Sequence, residues 1–228
     1  MPVPSGRASI AGLSTLESAD SMELPEVGCP RLSLSPDTIW MREDNQRDRP
    51  LRAASLAPMS IRDLVRWGDA RLLAGNEEVV SSDAGLAALI ADLLDTCHAA
   101  PGVGLAAPQI GINRRVAVVD LSVGEDPSAI IVLVNPVILS TSGDQKEEEG
   151  CLSVPDVAEK VVRPARVVVR AGDADLRVRE VEGSDLLARA LSHETDHLNG
   201  ILFVDRLRGL KKDLTLRKIE RRRARGAW

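Results

Sequence analysis

His193-Glu194-Thr195-Asp196-His197 sets two imidazoles four residues apart, with a carboxylate beside the first. On a helix, residues four apart share a face, so both rings can reach one cation from one rigid element. Glu194 can then reach a water on that cation without ligating it. The cation lowers the pKa of the water to roughly 7, and the carboxylate accepts its proton. The same pentapeptide also fits two histidines on a solvated helix face with an incidental acid. Two of the three histidines in the chain fall inside it, however, which favours a metal site able to hydrolyse a bond.

Such a site needs a third protein ligand and an open position. His98 has no helpful neighbours and suits a polar helix end. Cys97 fits an apolar helix face, and Cys29 lies in an irregular N-terminal stretch. Cys151 sits in Glu149-Gly150-Cys151-Leu152-Ser153-Val154-Pro155, after the acids Glu147 and Glu148. Alone it reads as a small buried hydrophobe. Beside a helix offering two imidazoles, its thiolate is the best third donor. One sulfur and two nitrogens suit zinc or ferrous iron, not magnesium or calcium.

A third segment is Gly102-Val103-Gly104-Leu105-Ala106-Ala107-Pro108-Gln109-Ile110-Gly111. It has no Gly-Lys-Ser/Thr, no strand feeds it and no helix follows it, so phosphate-loop and dinucleotide readings fail. It reads as backbone that must approach a ligand closely, with the Gln109 amide as an oxyanion donor. A plain helix-to-strand connector remains the alternative.

The elements that must position these residues follow from periodicity. Leu86, Leu89, Ile90, Leu93, Leu94 and Cys97 predict a helix capped by Asp83. Residues 115–122, 129–139, 166–171 and 176–181 predict strands, the last two joined through the turn Gly172-Asp173-Ala174-Asp175. Ser184 and Asp185 cap a helix running to about Leu198, which Asn199-Gly200 ends. Residues 207–225 predict a basic helix. The expected class is α+β: antiparallel or mixed strands packed around a central metal-binding helix, with an N-terminal and a C-terminal helix.

The chain of 228 residues can bury a core without disulfides. Three cysteines argue against a secreted disulfide scaffold and for a reducing compartment. No signal peptide is visible, and the longest aliphatic run, Ala129 to Val134, is far too short for a membrane span. Residues 1–58 hold seven of the thirteen prolines and have no amphipathic period. They read as a disordered leader or as a start placed too early, with Met59 as the alternative first residue. A transit peptide is the other reading, but such peptides are poor in acids. The net charge of −5 excludes a generally basic nucleic-acid binder. It conceals a contrast, since Arg206–Trp228 carries ten Lys/Arg and two acids, net +8, on a chain that is otherwise −13.

Together, Gly102–Gln109, Glu149–Ser153 and His193–Leu198 resemble the three motifs of the peptide deformylase family, in that family's order. The resemblance spans about residues 59–207, leaving 1–58 as leader and 208–228 as basic tail. It implies an enzyme that removes the formyl group from the N-terminal formyl-methionine of nascent chains and releases formate. It implies Cys151, His193 and His197 as metal ligands and Glu194 as the acid/base that activates the metal-bound water. Gln109 and the Leu152 backbone N–H become the oxyanion hole. The implied native ion is Fe2+, with Zn2+, Ni2+ or Co2+ as substitutes. A methionine pocket would be lined by Val103, Gly104, Leu186 and Ala190, with Arg189 at its border or in solvent; for Leu186, ordinary core packing is as good a reading. Nascent chains are the expected partners, in the bacterial cytoplasm rather than an organelle, with no membrane and no oligomeric state implied.

Two features depart from the family pattern. Ser192 stands where a Gln often precedes the helix motif, and Asp156–Lys160 lacks the Arg or Tyr often found there. These put substrate-backbone contacts and efficiency in doubt rather than the reaction. Three other functions compete. A metalloprotease would use the same helix, usually with His or Glu as third ligand. A non-catalytic ribosome-associated relative would have lost Glu194 or Cys151, and both are present. The basic tail suits either a solvated helix face or docking on ribosomal RNA.

Overall fold

A computed structural model of the chain describes residues 60–226. The expectations for the leader, Cys29 and Met59 lie outside the described residues. Helix α1 spans Ala84–Ala99. Asp83 caps it, its Oδ1 accepting from the Leu86 N–H at 2.9 Å, as the sequence predicts. Leu86, Leu89, Ile90, Leu93 and Cys97 are its buried face.

Five strands follow in an antiparallel sheet whose spatial order is their chain order: β1 Gly104–Ala106, β2 Val116–Val119, β3 Ile131–Cys151, β4 Val154–Gly172 and β5 Val178–Ser184. The glycine segment therefore does contain a strand, β1, which runs into a short 3-10 turn over Ala107–Ile110. The sequence reads that strand as loop because three residues carry no periodicity. β3 and β4 form a hairpin far longer than predicted. Residues 140–150 are mostly polar and show no alternating pattern, so the sequence ends the strand at 139; pairing with β4 continues it to Cys151. The ladder shifts register between Val134 and Val137, where Pro136 has no N–H to donate and Asn135 takes a positive φ of 52°. It shifts again between Gly150 and Cys151. There Leu152-Ser153 makes a two-residue tip between the paired Cys151 and Val154.

Helix α2 spans Asp185–Leu198 and packs against β1, β2, β4 and β5. Every residue from Ala190 to Leu198 is buried. Its Leu191 packs into a core of Ala106, Ala117, Val119, Leu133, Val167 and Val169 beneath it. Asn199 ends the helix, and Gly200 follows at φ 70°. Helix α3, Gly209–Ala224, packs through Thr215 and Ile219. Three of its cations face acids of the body, in Lys211–Glu159, Lys212–Asp205 and Arg222–Asp156. Among the described residues, no helix is long and apolar enough to cross a membrane.

Candidate metal centre and active site

The buried polar run of α2 is the centre of the site. A buried polar atom without a partner is costly, so each should be accounted for. The Ser192 and Thr195 hydroxyls donate to the carbonyls of Ala188 and Leu191, both at 2.7 Å. This gives Ser192, the departure from the family pattern, a local role. Asp196 accepts from Arg163 at 2.5 Å and from Arg206 Nε at 2.9 Å. His193 Nδ1 lies 2.6 Å from Glu149 Oε1. On this run Glu194 Oε2 and His197 Nδ1 remain without a partner.

The three sequence-predicted metal donors come together. Cys151 Sγ is 3.2 Å from His197 Nε2, which is 3.2 Å from His193 Nε2. All three donor atoms lie within 4.8 Å of one another. Glu149 fixes the His193 ring through Nδ1, so Nε2 faces the other donors. Burial opposes charge on His193, but Cys151 and Glu149 outweigh it and raise the pKa well above the usual histidine value. Burial and the charge of His193 push His197 well below it. A divalent cation fits this set, and the soft sulfur with two nitrogens matches zinc or ferrous iron.

Around the donors is a cavity of about 800 Å³ bordered by Val103, Gly104, Gln109, Leu152, Leu186, Ala190 and Glu194. Val103 and Ala190 also join the core under α2, whereas Leu186 is 42% exposed. Leu186 therefore borders the cavity instead of filling the core. Arg189 and Ala158 border it too; Ala158 lies in the stretch that departs from the family pattern. The glycines make room for protein side chains. A Cβ at residue 104 would fall 2.6 Å from Glu194 Oε1, and one at residue 102 would fall 2.9 Å from Leu152 Cδ1. Burial pushes the Glu194 carboxyl up to about 7. Gln109 is buried, and its Oε1 accepts from the Ala106 N–H at 2.8 Å. That bond turns Nε2 toward Cys151 Sγ at 3.5 Å and Ser153 Oγ at 3.4 Å.

Sequence reasoning misses the ion network behind the donors. Arg163 binds Glu149 through two bonds of 2.9 and 2.6 Å and also reaches Asp196, which Arg206 grips from the other side. Burial alone would raise the Glu149 pKa; Arg163 and His193 outweigh it and hold it at about 2. No local signal marked Glu149: residues 140–150 have no strand pattern of their own, and the register shift between Gly150 and Cys151 breaks simple alternation. His98 and Cys97 find other work. His98 Nε2 meets Asp120 Oδ2 at 2.8 Å, and Cys97 is buried core.

One thiol, two imidazoles and a buried carboxyl gathered on an antiparallel α+β scaffold have the makeup of a metallohydrolase. Comparison with known proteins narrows the class. The polypeptide deformylase family matches residues 61–213. A peptide deformylase of Acidobacterium capsulatum is 48% identical over 170 residues, covering 75% of this chain and all of that protein. A peptide deformylase structure from Legionella pneumophila is similar at a TM-score of 0.68 and 43% identity, covering 73% of this chain and 98% of that one. One from Synechococcus elongatus, in complex with actinonin, gives 0.66 at 40% identity, covering 72% and 90%. The chain belongs to the polypeptide deformylase family and is an enzyme of that kind.

Proposed function

We propose that the enzyme hydrolyses the N-terminal formyl group of nascent formyl-methionyl chains, releasing formate and a free amine. The observation that carries this reading is the convergence of Cys151, His193 and His197 beside the buried carboxyl of Glu194. Cys151, His193 and His197 would hold the divalent ion, which supplies Lewis acidity and lowers the pKa of a neighbouring water. The family resemblance favours Fe2+ in that place, with Zn2+, Ni2+ or Co2+ as substitutes.

The remaining chemistry belongs to side chains. Glu194 takes a proton from the attacking water and returns it to the leaving nitrogen as the formyl C–N bond breaks. Burial brings the Glu194 carboxyl to about 7, where it can both accept and return a proton near neutral pH. Gln109 Nε2 and the Leu152 N–H hold the former carbonyl oxygen as negative charge develops on it. Val103, Gly104, Ala190 and Leu186 receive the methionine side chain, and the Glu149–Arg163 pair keeps His193 oriented.

Formylated N-termini arise where translation starts with formyl-methionine, so the bacterial cytoplasm is the proposed location. Docking of the tail on ribosomal RNA stays a proposal that rests on the cations still exposed on and beside α3, among them Arg208, Arg217, Lys218 and Arg221. Incubating the enzyme with formyl-Met-Ala and with peptides offering only internal amides tests the reading against a metalloprotease. Formate release without internal cleavage is expected; internal cleavage without formate would overturn it. Gln109→Ala is expected to lower kcat by about a hundredfold or more, the cost of losing one oxyanion donor. A near-normal kcat would remove Gln109 from that role.

A further inference from the structure

The two proposed oxyanion donors sit on segments 43 residues apart in sequence, Gln109 on the turn after β1 and Leu152 on the tip of the β3–β4 hairpin. One short stretch of chain binds both. The Val65 N–H donates to the Gln109 carbonyl at 2.7 Å. The next residue, Arg66, sends its guanidinium to the Leu152 carbonyl at 2.5 Å. The residue after that, Trp67, donates its N–H to the Ser153 carbonyl at 2.9 Å. Upstream, the stretch is anchored to α1. There Arg62 grips Asp92 Oδ2 at 2.8 and 2.9 Å, and its N–H donates to Thr96 Oγ1 at 2.9 Å.

The Leu152-Ser153 tip directly follows the register shift between Gly150 and Cys151, so contacts from outside the hairpin help fix its peptide planes. The Leu152 N–H and the Leu152 carbonyl belong to successive peptide planes joined only through the φ and ψ of Leu152. Pinning the carbonyl plane therefore restricts where the N–H can point. A charged donor makes a stronger bond to a carbonyl than a neutral one. We propose that Arg66 is a positioning residue for catalysis: it locks the Leu152-Ser153 tip so that the Leu152 N–H and Gln109 Nε2 point at the same oxygen. This rests on the reading of those two groups as the oxyanion hole. Arg66 also borders the cavity, so a direct grip on substrate is the rival role.

The test uses metal-loaded enzyme and formyl-Met-Ala. Arg66→Ala is expected to lower kcat about tenfold or more with KM within about twofold, because small misplacement of a catalytic group costs rate and not binding. Metal content is expected to stay at the wild-type level, and Arg66→Lys, which keeps a charged donor, to recover most of the kcat. Arg62→Met loosens the same stretch without touching the tip; it is expected to lower Tm and leave kcat intact. An unchanged kcat in Arg66→Ala, a raised KM alone, or a loss of metal with kcat per bound ion unchanged would each overturn the proposal. So would equal loss of kcat in Arg62→Met, since the effect would then be general loosening. Gln109→Ala in the same assay separates the two ideas. If it loses activity while Arg66→Ala does not, only the positioning role fails; if it keeps activity, the oxyanion reading itself has failed.

Discussion

Glu194→Gln is expected to bind metal as the wild type does and to lose formate release by about 10²–10⁴-fold, the usual worth of a positioned acid/base. The amide has nearly the shape of the carboxyl, so the close approach to Gly104 is kept. It cannot take the proton of water. Three donor atoms already converge without any contribution from Glu194, and its Oε2 has no protein partner. Removing its charge therefore leaves the ligand set untouched. Kinetics and metal analysis on the same sample decide the outcome. A metal-free variant would make Glu194 a ligand or a structural acid, and near-normal turnover would remove it from the proton path.

Arg163→Met is expected to cost about 3–5 kcal/mol, because it leaves the buried Glu149 carboxylate without its guanidinium partner. For a domain of this size that lowers Tm by about 6–20 °C. Glu149 loses both bonds to the guanidinium, while Asp196 keeps Arg206. The effect should reach the metal. Glu149 orients His193, and loss of such an outer partner typically weakens metal binding about 10–100-fold. Thermal unfolding and metal titration check both parts, and an unchanged Tm would contradict the network.

The network also sets a pH dependence. The pKa of Glu149 is depressed in the folded protein, from an ordinary 4.5 to about 2. Its contribution is thus fully present above about pH 4.5 and is lost as pH falls through about 2. Asp120 acts in the same direction. Burial opposes its charge, but bonds from Ser122, Gly124 and His98 hold its pKa down at about 2.

What the sequence made legible was local. The helix over Asp185–Leu198 follows from its Asn199-Gly200 stop and from the i, i+4 pair, which places both imidazoles on one side; the expected cap at its start is not made, since the Ser184 side chain forms no capping bond. Cys151 was legible only by combination, since alone it reads as core. Gln109 stood out beside two glycines, although the glycines make room for Glu194 and Leu152 rather than for a phosphate. What was hidden is long-range. Glu149 stood in the acidic run before Cys151 with no role assigned, and only the pairing of β3 with β4 turns it inward toward Arg163. The polar half of β3 has no strand pattern of its own and is held by its partner. Arg66 lies in a stretch without periodicity, and its meaning appears only when the hairpin tip folds against it.

Formate release from formyl-Met-Ala by anaerobically purified enzyme, measured with metal content on the same sample, tests the central claim most directly. Anaerobic handling keeps iron and the Cys151 thiol from oxidising. Activity is expected to follow bound metal, to vanish on chelation and to return on reloading with Fe2+. Full activity in the chelated, metal-free enzyme, or none in the loaded enzyme, would contradict the account.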